Sequence, residues 1–66
     1  MRTIYIAETV YSELGKDDKF HVRSRIKAFD LLEDAKRYAD YEAESFKGFA
    51  NLRLKFVTVH SVEEVL

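Results

Sequence analysis

Sixty-six residues, 47% of them hydrophobic and 14% aromatic, make one domain, 1–66, whose stability has to come from packing or self-association, because there is no cysteine to cross-link it. A formal net charge of −1 makes no bulk electrostatic case for nucleic acid, and no apolar run approaches the ~20 residues of a membrane-spanning helix. The opening residues MRTIYIAE lack the apolar core and small-residue cleavage site of a signal peptide, so the expectation is a soluble, cytoplasmic protein.

Charge is unevenly spread. Residues 1–29 hold six Lys/Arg against four Asp/Glu, and residues 30–47 hold three against six. The pattern predicts a basic sheet and an acidic helix.

Residues 3–11 read as the first strand. Ile4, Ile6 and Val10 alternate with Thr3, Tyr5, Ala7, Thr9 and Tyr11, and the β-branched and aromatic content suits a pleated surface. Glu8 interrupts the apolar set. Residues 12–18, SELGKDD, form the connection, with Gly15 placed to supply a positive φ. Glu13, Asp17 and Asp18 lack the alternating acid spacing of an EF-hand loop, so they read as a solvated hairpin loop rather than a calcium site.

Residues 19–28 form the second strand, with the cleanest two-residue period in the chain. Phe20, Val22, Ser24, Ile26 and Ala28 take one face; Lys19, His21, Arg23, Arg25 and Lys27 make the other wholly basic. The period then changes. The capping box Asp30-x-x-Glu33 opens a helix of about seventeen residues, with Lys47 in its last turn and Gly48 as its stop. Leu32, Ala35, Ala39, Ala43, Phe46 and Ala50 make an apolar stripe, bordered by Leu31 and Phe49, whose alanines allow a close approach to a sheet. Glu33, Lys36, Arg37, Asp40 and Glu44 lie opposite, with Glu33–Arg37 as an i,i+4 pair.

Asn51 turns the chain into a third strand, residues 52–60. Leu52, Leu54 and Phe56 share a face, but Val57 and Val59 fall on the side of Arg53 and Lys55, which predicts a bulge or a second contact surface near Phe56. Residues 61–64, SVEE, read as a further capping box opening one helical turn that ends at Leu66.

The order strand, strand, helix, strand predicts an α+β fold: a ββαβ domain with a three-stranded antiparallel sheet of order 2-1-3 and one helix packed on one face. The expected covered face carries Ile4, Ile6, Phe20, Val22, Ile26, Leu52, Leu54 and Phe56. The expected open face carries Tyr5, Lys19, His21, Arg23, Arg25, Lys27, Arg53 and Lys55.

Three surfaces are candidates for function. The basic sheet face has three readings: protection of an edge strand, docking of an acidic partner that includes a second copy, or a phosphate groove with Tyr5 as a stacking platform. The acidic helix face (Glu33, Asp40, Glu44) reads either as solvated surface or as a phosphate mimic, with Lys36, Arg37 and Lys47 interrupting it. Glu42 falls on the apolar flank of the helix, beside Tyr38 and Ser45 with Tyr41 beyond. It is either a carboxylate reaching water or bonded to a Tyr, or part of a patch of Tyr38, Tyr41, Glu42 and Ser45, with aromatics as interface anchors. His21 and His60 have no neighbour at metal-ligand or acid–base spacing, and there is no Gly-rich phosphate loop or nucleophile elbow. The expectation is a binding protein, not an enzyme, with no cofactor or metal.

The stretch FDLLEDAKRYADYEAE, through Phe29, Asp30, Glu33, Asp34, Ala35, Tyr38 and Ala39, resembles a pattern frequent in small bacterial and phage proteins: a strand, an aromatic, a capping residue, acid-acid-Ala and a Tyr-Ala pair. The resemblance spans about a third of the chain and implies no activity. It implies a stand-alone accessory protein of a phage or prophage, of the kind that binds and redirects a host protein. The function expected is therefore non-catalytic binding of a protein partner, with a homodimer as a further possibility. The alternative is single-stranded nucleic-acid binding by the basic face.

Overall fold

The computed structural model describes residues 2–64. Three strands and one helix follow in the order β1 (Arg2–Leu14), β2 (Phe20–Phe29), α1 (Leu32–Ser45), a 3₁₀ turn (Phe46–Gly48) and β3 (Leu52–Glu64). β1 is central and antiparallel to both neighbours, giving the sheet order β2-β1-β3. This is the expected ββαβ architecture, with α1 on one face.

The strands run further than the sequence pattern predicted. Ser12, Glu13 and Leu14 pair with Val22, His21 and Phe20, so the hairpin loop shrinks to residues 15–19. The positive φ falls at Asp18 (62°), not Gly15. Gly15 leaves room for two side chains: a Cβ there would stand 2.8 Å from the His21 ring and from Asp17 Oδ1, and one of them would have to swing aside. Those two side chains meet across it, with His21 Nε2 2.9 Å from Asp17 Oδ1, while Asp17 also accepts the Lys19 N–H at 3.1 Å. The His21 hydrogen bond and then the Lys19 amide hold the Asp17 carboxyl below its ordinary range.

Both predicted caps are corrected. Asp30 does not cap α1. The N-cap is Leu31, with no side-chain bond to the helix, and Asp30 pairs instead with Arg2 at 3.3 Å. Glu33 and Asp34 still occupy the first turn, where the helix dipole favours them. Residues 61–64 extend β3, as Ser61, Val62, Glu63 and Glu64 pair with Tyr5, Ile4, Thr3 and Arg2. A sheet ladder outcompetes an isolated helical turn, which has no tertiary contact to support its nucleation. Residues 65–66, the end of that predicted turn, lie outside the described residues.

The predicted irregularity near Phe56 is a bulge. Val10 faces Phe56 and Tyr11 faces Leu54, leaving Lys55 without a partner on β1. The extra residue resets the alternation, so Leu52, Leu54, Val57 and Val59 all share one face and Phe56 takes the other.

The largest correction concerns which face α1 covers. The buried strand residues are Ala7 and Thr9 at the centre of β1, with Ser12 near its end. Ala7 and Thr9 share a face with Lys27, Arg25, Val59 and Val57. The helix therefore lies on the face that carries the basic row of β2, not on the Ile-rich face. Two features of the sequence explain this. Ala7, Thr9 and Ala35 are small, so sheet and helix approach closely. Glu42 sits on the packing side of α1, and a carboxylate buried against Ile4, Ile6 and Ile26 would be left unpaired at a cost of several kcal/mol. Against Arg25 it is satisfied. The buried line of the helix and the turn after it is accordingly Ala35, Glu42 and Phe46, rotated from the predicted alanine stripe, with Leu32 only partly covered and Ala50 beyond the helix.

Candidate interaction site

Glu42 is the centre of the helix-side cluster. It is 1% exposed and receives three side chains. Arg25 Nη2 donates to Oε2 at 2.5 Å, and the Tyr38 hydroxyl, one turn earlier on α1, donates to Oε1 at 2.5 Å. Ser45 Oγ donates to the Glu42 carbonyl at 3.0 Å and lies 3.4 Å from Oε2. Burial pushes the Glu42 carboxyl up, but the hydrogen bonds from Tyr38 and Arg25 outweigh it and hold the group below its ordinary range. The same contacts raise the Arg25 guanidinium and the Tyr38 phenol: for each, the hydrogen bond to Glu42 is the leading cause.

Aromatic rings enclose this ionic floor. Phe46 packs against Tyr11 with centroids 5.0 Å apart, and the Arg25 guanidinium carbon lies 5.4 Å from the Phe46 ring centre and 5.6 Å from that of Tyr11. Tyr38 packs on Phe29 at 5.4 Å, with Lys27 Nζ 5.1 Å above the Tyr38 ring. Such cation–aromatic contacts contribute about 0.5–1 kcal/mol each where water reaches them.

A groove of about 400 Å³ opens over the cluster, lined by Arg25, Tyr38, Tyr41, Glu42, Ser45, Phe46, Phe49 and Leu52. A second hollow of about 380 Å³ lies on the far side of Tyr38 and Tyr41, bordered by Phe29, Asp34 and Arg37. The two tyrosines, 6.4 Å apart at their centroids, form the ridge between them. Tyr41 is 66% exposed and Phe49 is 56% exposed.

The predicted patch of Tyr38, Tyr41, Glu42 and Ser45 is thus brought together. The sequence reading missed that Arg25, Phe46, Phe49 and Leu52 complete it. The available signal was charge pairing: Glu42 as the misplaced acid on α1, and a basic row on β2 to receive it.

The predicted basic surface is not a continuous open row. Arg25 is held by Glu42, and Lys27 lies over Phe29 and Tyr38. Arg23 reaches Glu13 at 3.9 Å, and His21 bonds Asp17. Lys19 stands in the loop, and Lys55 is the bulge residue. Tyr5 is half-buried and opposite Phe29. Arg53 is on the other face, opposite Ser12, with its guanidinium carbon 3.9 Å from the Phe20 ring centre. Of the acidic helix residues, Glu33, Asp40 and Glu44 are exposed, and Glu44 pairs with Lys47 at 3.1 Å. Arg37 pairs with Asp34 at 3.5 Å rather than with Glu33.

Comparison with protein-family models, with curated proteins and with solved structures finds no match to this chain. No helix among the described residues is long and apolar enough to cross a membrane.

The Glu42 carboxylate has both oxygens engaged, which holds Arg25 and Tyr38 in place. The groove offers aromatic walls and an ionic floor. That combination suits a group with an apolar body and a polar tip.

Proposed function

We propose that the chain is a non-catalytic protein-binding module of the cytoplasm, which takes its partner on the helix-side groove around Tyr41 and Phe49. The observation that carries this reading is the pair of exposed aromatics flanking a groove whose floor is fixed by the Arg25–Glu42–Tyr38 bonds. Exposed aromatic anchors over a preorganised floor are what dominant interface residues look like, and a floor already ordered lowers the entropy lost on binding. The resemblance of the strand-to-helix join to phage and bacterial accessory proteins favours a host protein as that partner. Nucleic acid is the weaker reading, because Arg25 and Lys27 are committed to the helix side and Arg53 lies on the opposite face.

The test is affinity capture with the immobilised chain, followed by titration of the captured protein against variants. Tyr41→Ala and Phe49→Ala are expected to weaken binding at least tenfold, a loss of about 1.4 kcal/mol, while Arg23→Ala leaves it unchanged. Salt-sensitive binding of single-stranded DNA or RNA, lost in Arg23→Ala and indifferent to Tyr41→Ala, overturns the proposal.

A further inference from the structure

The face of the sheet away from α1 is apolar and uncovered. Its middle carries Ile4, Ile6, Val10, Val22, Ile26 and Phe56, and Val22 and Ile26 are 66% and 67% exposed. Its ends are charged: Arg2 pairs with Glu64 at one, and Arg53 lies over Phe20 at the other. Apolar side chains surround the one acid at the middle, Glu8, and charge rims the face; apolar area inside a charged rim is the anatomy of an interface.

A single copy is also short of a core. Only Ala7, Ala35 and Phe46 are buried apolar residues among those described. The radius of gyration is 14.0 Å, whereas a compact chain of this length has one of about 11 Å. A chain of 66 residues without a cross-link has little stability to spare. Whatever covers this face has to be present whenever the chain folds, and the one species that meets that condition is the chain itself.

We propose that this face is where two copies meet, sheet on sheet about a two-fold axis, with the helices outermost. The area suffices. Three strands of about twelve residues, at ~3.4 Å per residue and ~4.8 Å between strands, present about 590 Å² per copy. Two copies then bury about 1,200 Å², above the ~1,000 Å² that a specific interface requires. The charges are self-complementary as well. Glu8, the middle residue of β1, and His60 on β3 share this face, and neither belongs to an ion pair among the described residues. A two-fold axis gives the acid of each copy access to the imidazole of the other. This surface is separate from the helix-side groove, so either can fail without the other.

The test is sedimentation equilibrium of the full chain over a concentration series, with thermal unfolding measured across the same series. The expected result is a species of twice the 7.8 kDa chain mass, and an unfolding midpoint that rises with concentration. Ile26→Thr keeps a β-branched residue in the strand and touches a side chain that one copy alone leaves in water. It is expected to raise the dimer dissociation constant at least tenfold, with Tyr41→Ala as the unaffected control. If Ile26→Thr unfolds at low concentration, recovery of its fold at higher concentration supports the proposal, and failure to recover counts against it. A folded monomer up to about 1 mM, the weakest affinity worth calling specific, overturns it. So does a dimer indifferent to Ile26→Thr, which would mean that copies join along a strand edge or through the helix side.

Discussion

Arg25 and Glu42 form one ion pair across two environments: the Glu42 side chain is 2% exposed and the Arg25 side chain is 49% exposed, with 2.5 Å between Nη2 and Oε2. The asymmetry makes the two halves unequal. Arg25→Ala leaves a carboxylate stranded beneath α1. It is expected to cost about 2 kcal/mol, below the ~3–5 kcal/mol of a fully buried pair because water reaches the vacated site. Glu42→Leu removes the buried charge and frees Arg25 to turn to solvent. Its cost is confined to the lost acceptor of Tyr38, about 1 kcal/mol. Urea unfolding of both variants checks the order; equal losses would mean that Glu42 is not held under the helix as described.

The same carboxylate gives the fold an acid limit. Against the upward push of burial, the bonds from Tyr38 and Arg25 hold Glu42 below the ordinary glutamate value of about 4.5 in the folded chain. The stabilisation from its ionised form is therefore fully present above that value and is lost as pH falls through the lower, folded value. Asp17, lowered by its bond to His21, acts in the same direction from an exposed site. Unfolding free energy measured down an acid series is expected to fall below about pH 4.5, and Glu42→Gln is expected to flatten that slope. An unchanged slope in Glu42→Gln would assign the acid limit to other carboxylates.

Beneath α1, Thr9 is fully buried between Arg25 and Val57, and its hydroxyl meets no hydrogen-bond partner among the described residues. Valine has the same shape, the same preference for a strand and no hydroxyl to strand. Thr9→Val is expected to stabilise the chain by about 1 kcal/mol, read as a higher denaturation midpoint. A loss of stability would show that the hydroxyl is bonded in solution.

How far the sequence led depends on the kind of information each step needs. Strand order, helix position and the bulge follow from local periodicity, and Val57 and Val59 announced the bulge by breaking the alternation of Leu52 and Leu54. The covered face did not follow, because alternation alone says only that two faces differ. Taking apolar as inside put Ile4, Ile6 and Ile26 under the helix. That rule fails for a three-stranded sheet with one short helix, where one face stays open whichever way the chain folds. What settles the face is a pair distant in sequence, Arg25 and Glu42, together with the small residues Ala7, Thr9 and Ala35. Glu42 was legible as an anomaly on its helix; its partner was hidden among the four basic residues of β2, which look alike in sequence. The capping box failed for a related reason, since Asp30 has Arg2 within reach across the sheet.

The bulge itself can be tested by deletion. Lys55 is the one residue of β3 between Leu54 and Phe56 that faces no residue of β1, and it is exposed. Removing it leaves Val57 and Val59 on the helix face and Phe56 on the other, because the regular alternation then runs unbroken from Leu52. Deletion of Lys55 is expected to change stability by no more than about 1 kcal/mol, the loss being one of local twist. Deletion of Thr58 has the opposite consequence. It shifts the following residues by one, turns Val59 outward and brings His60 opposite Ala7, under α1. An unpaired imidazole in that place, added to a lost valine contact, is expected to cost more than about 3 kcal/mol, enough to unfold a domain this small. Circular dichroism and urea midpoints of the two deletions, compared with the intact chain, read the difference. If both are tolerated alike, β3 is free to slip and the register across from Val10 and Tyr11 is not fixed by the bulge.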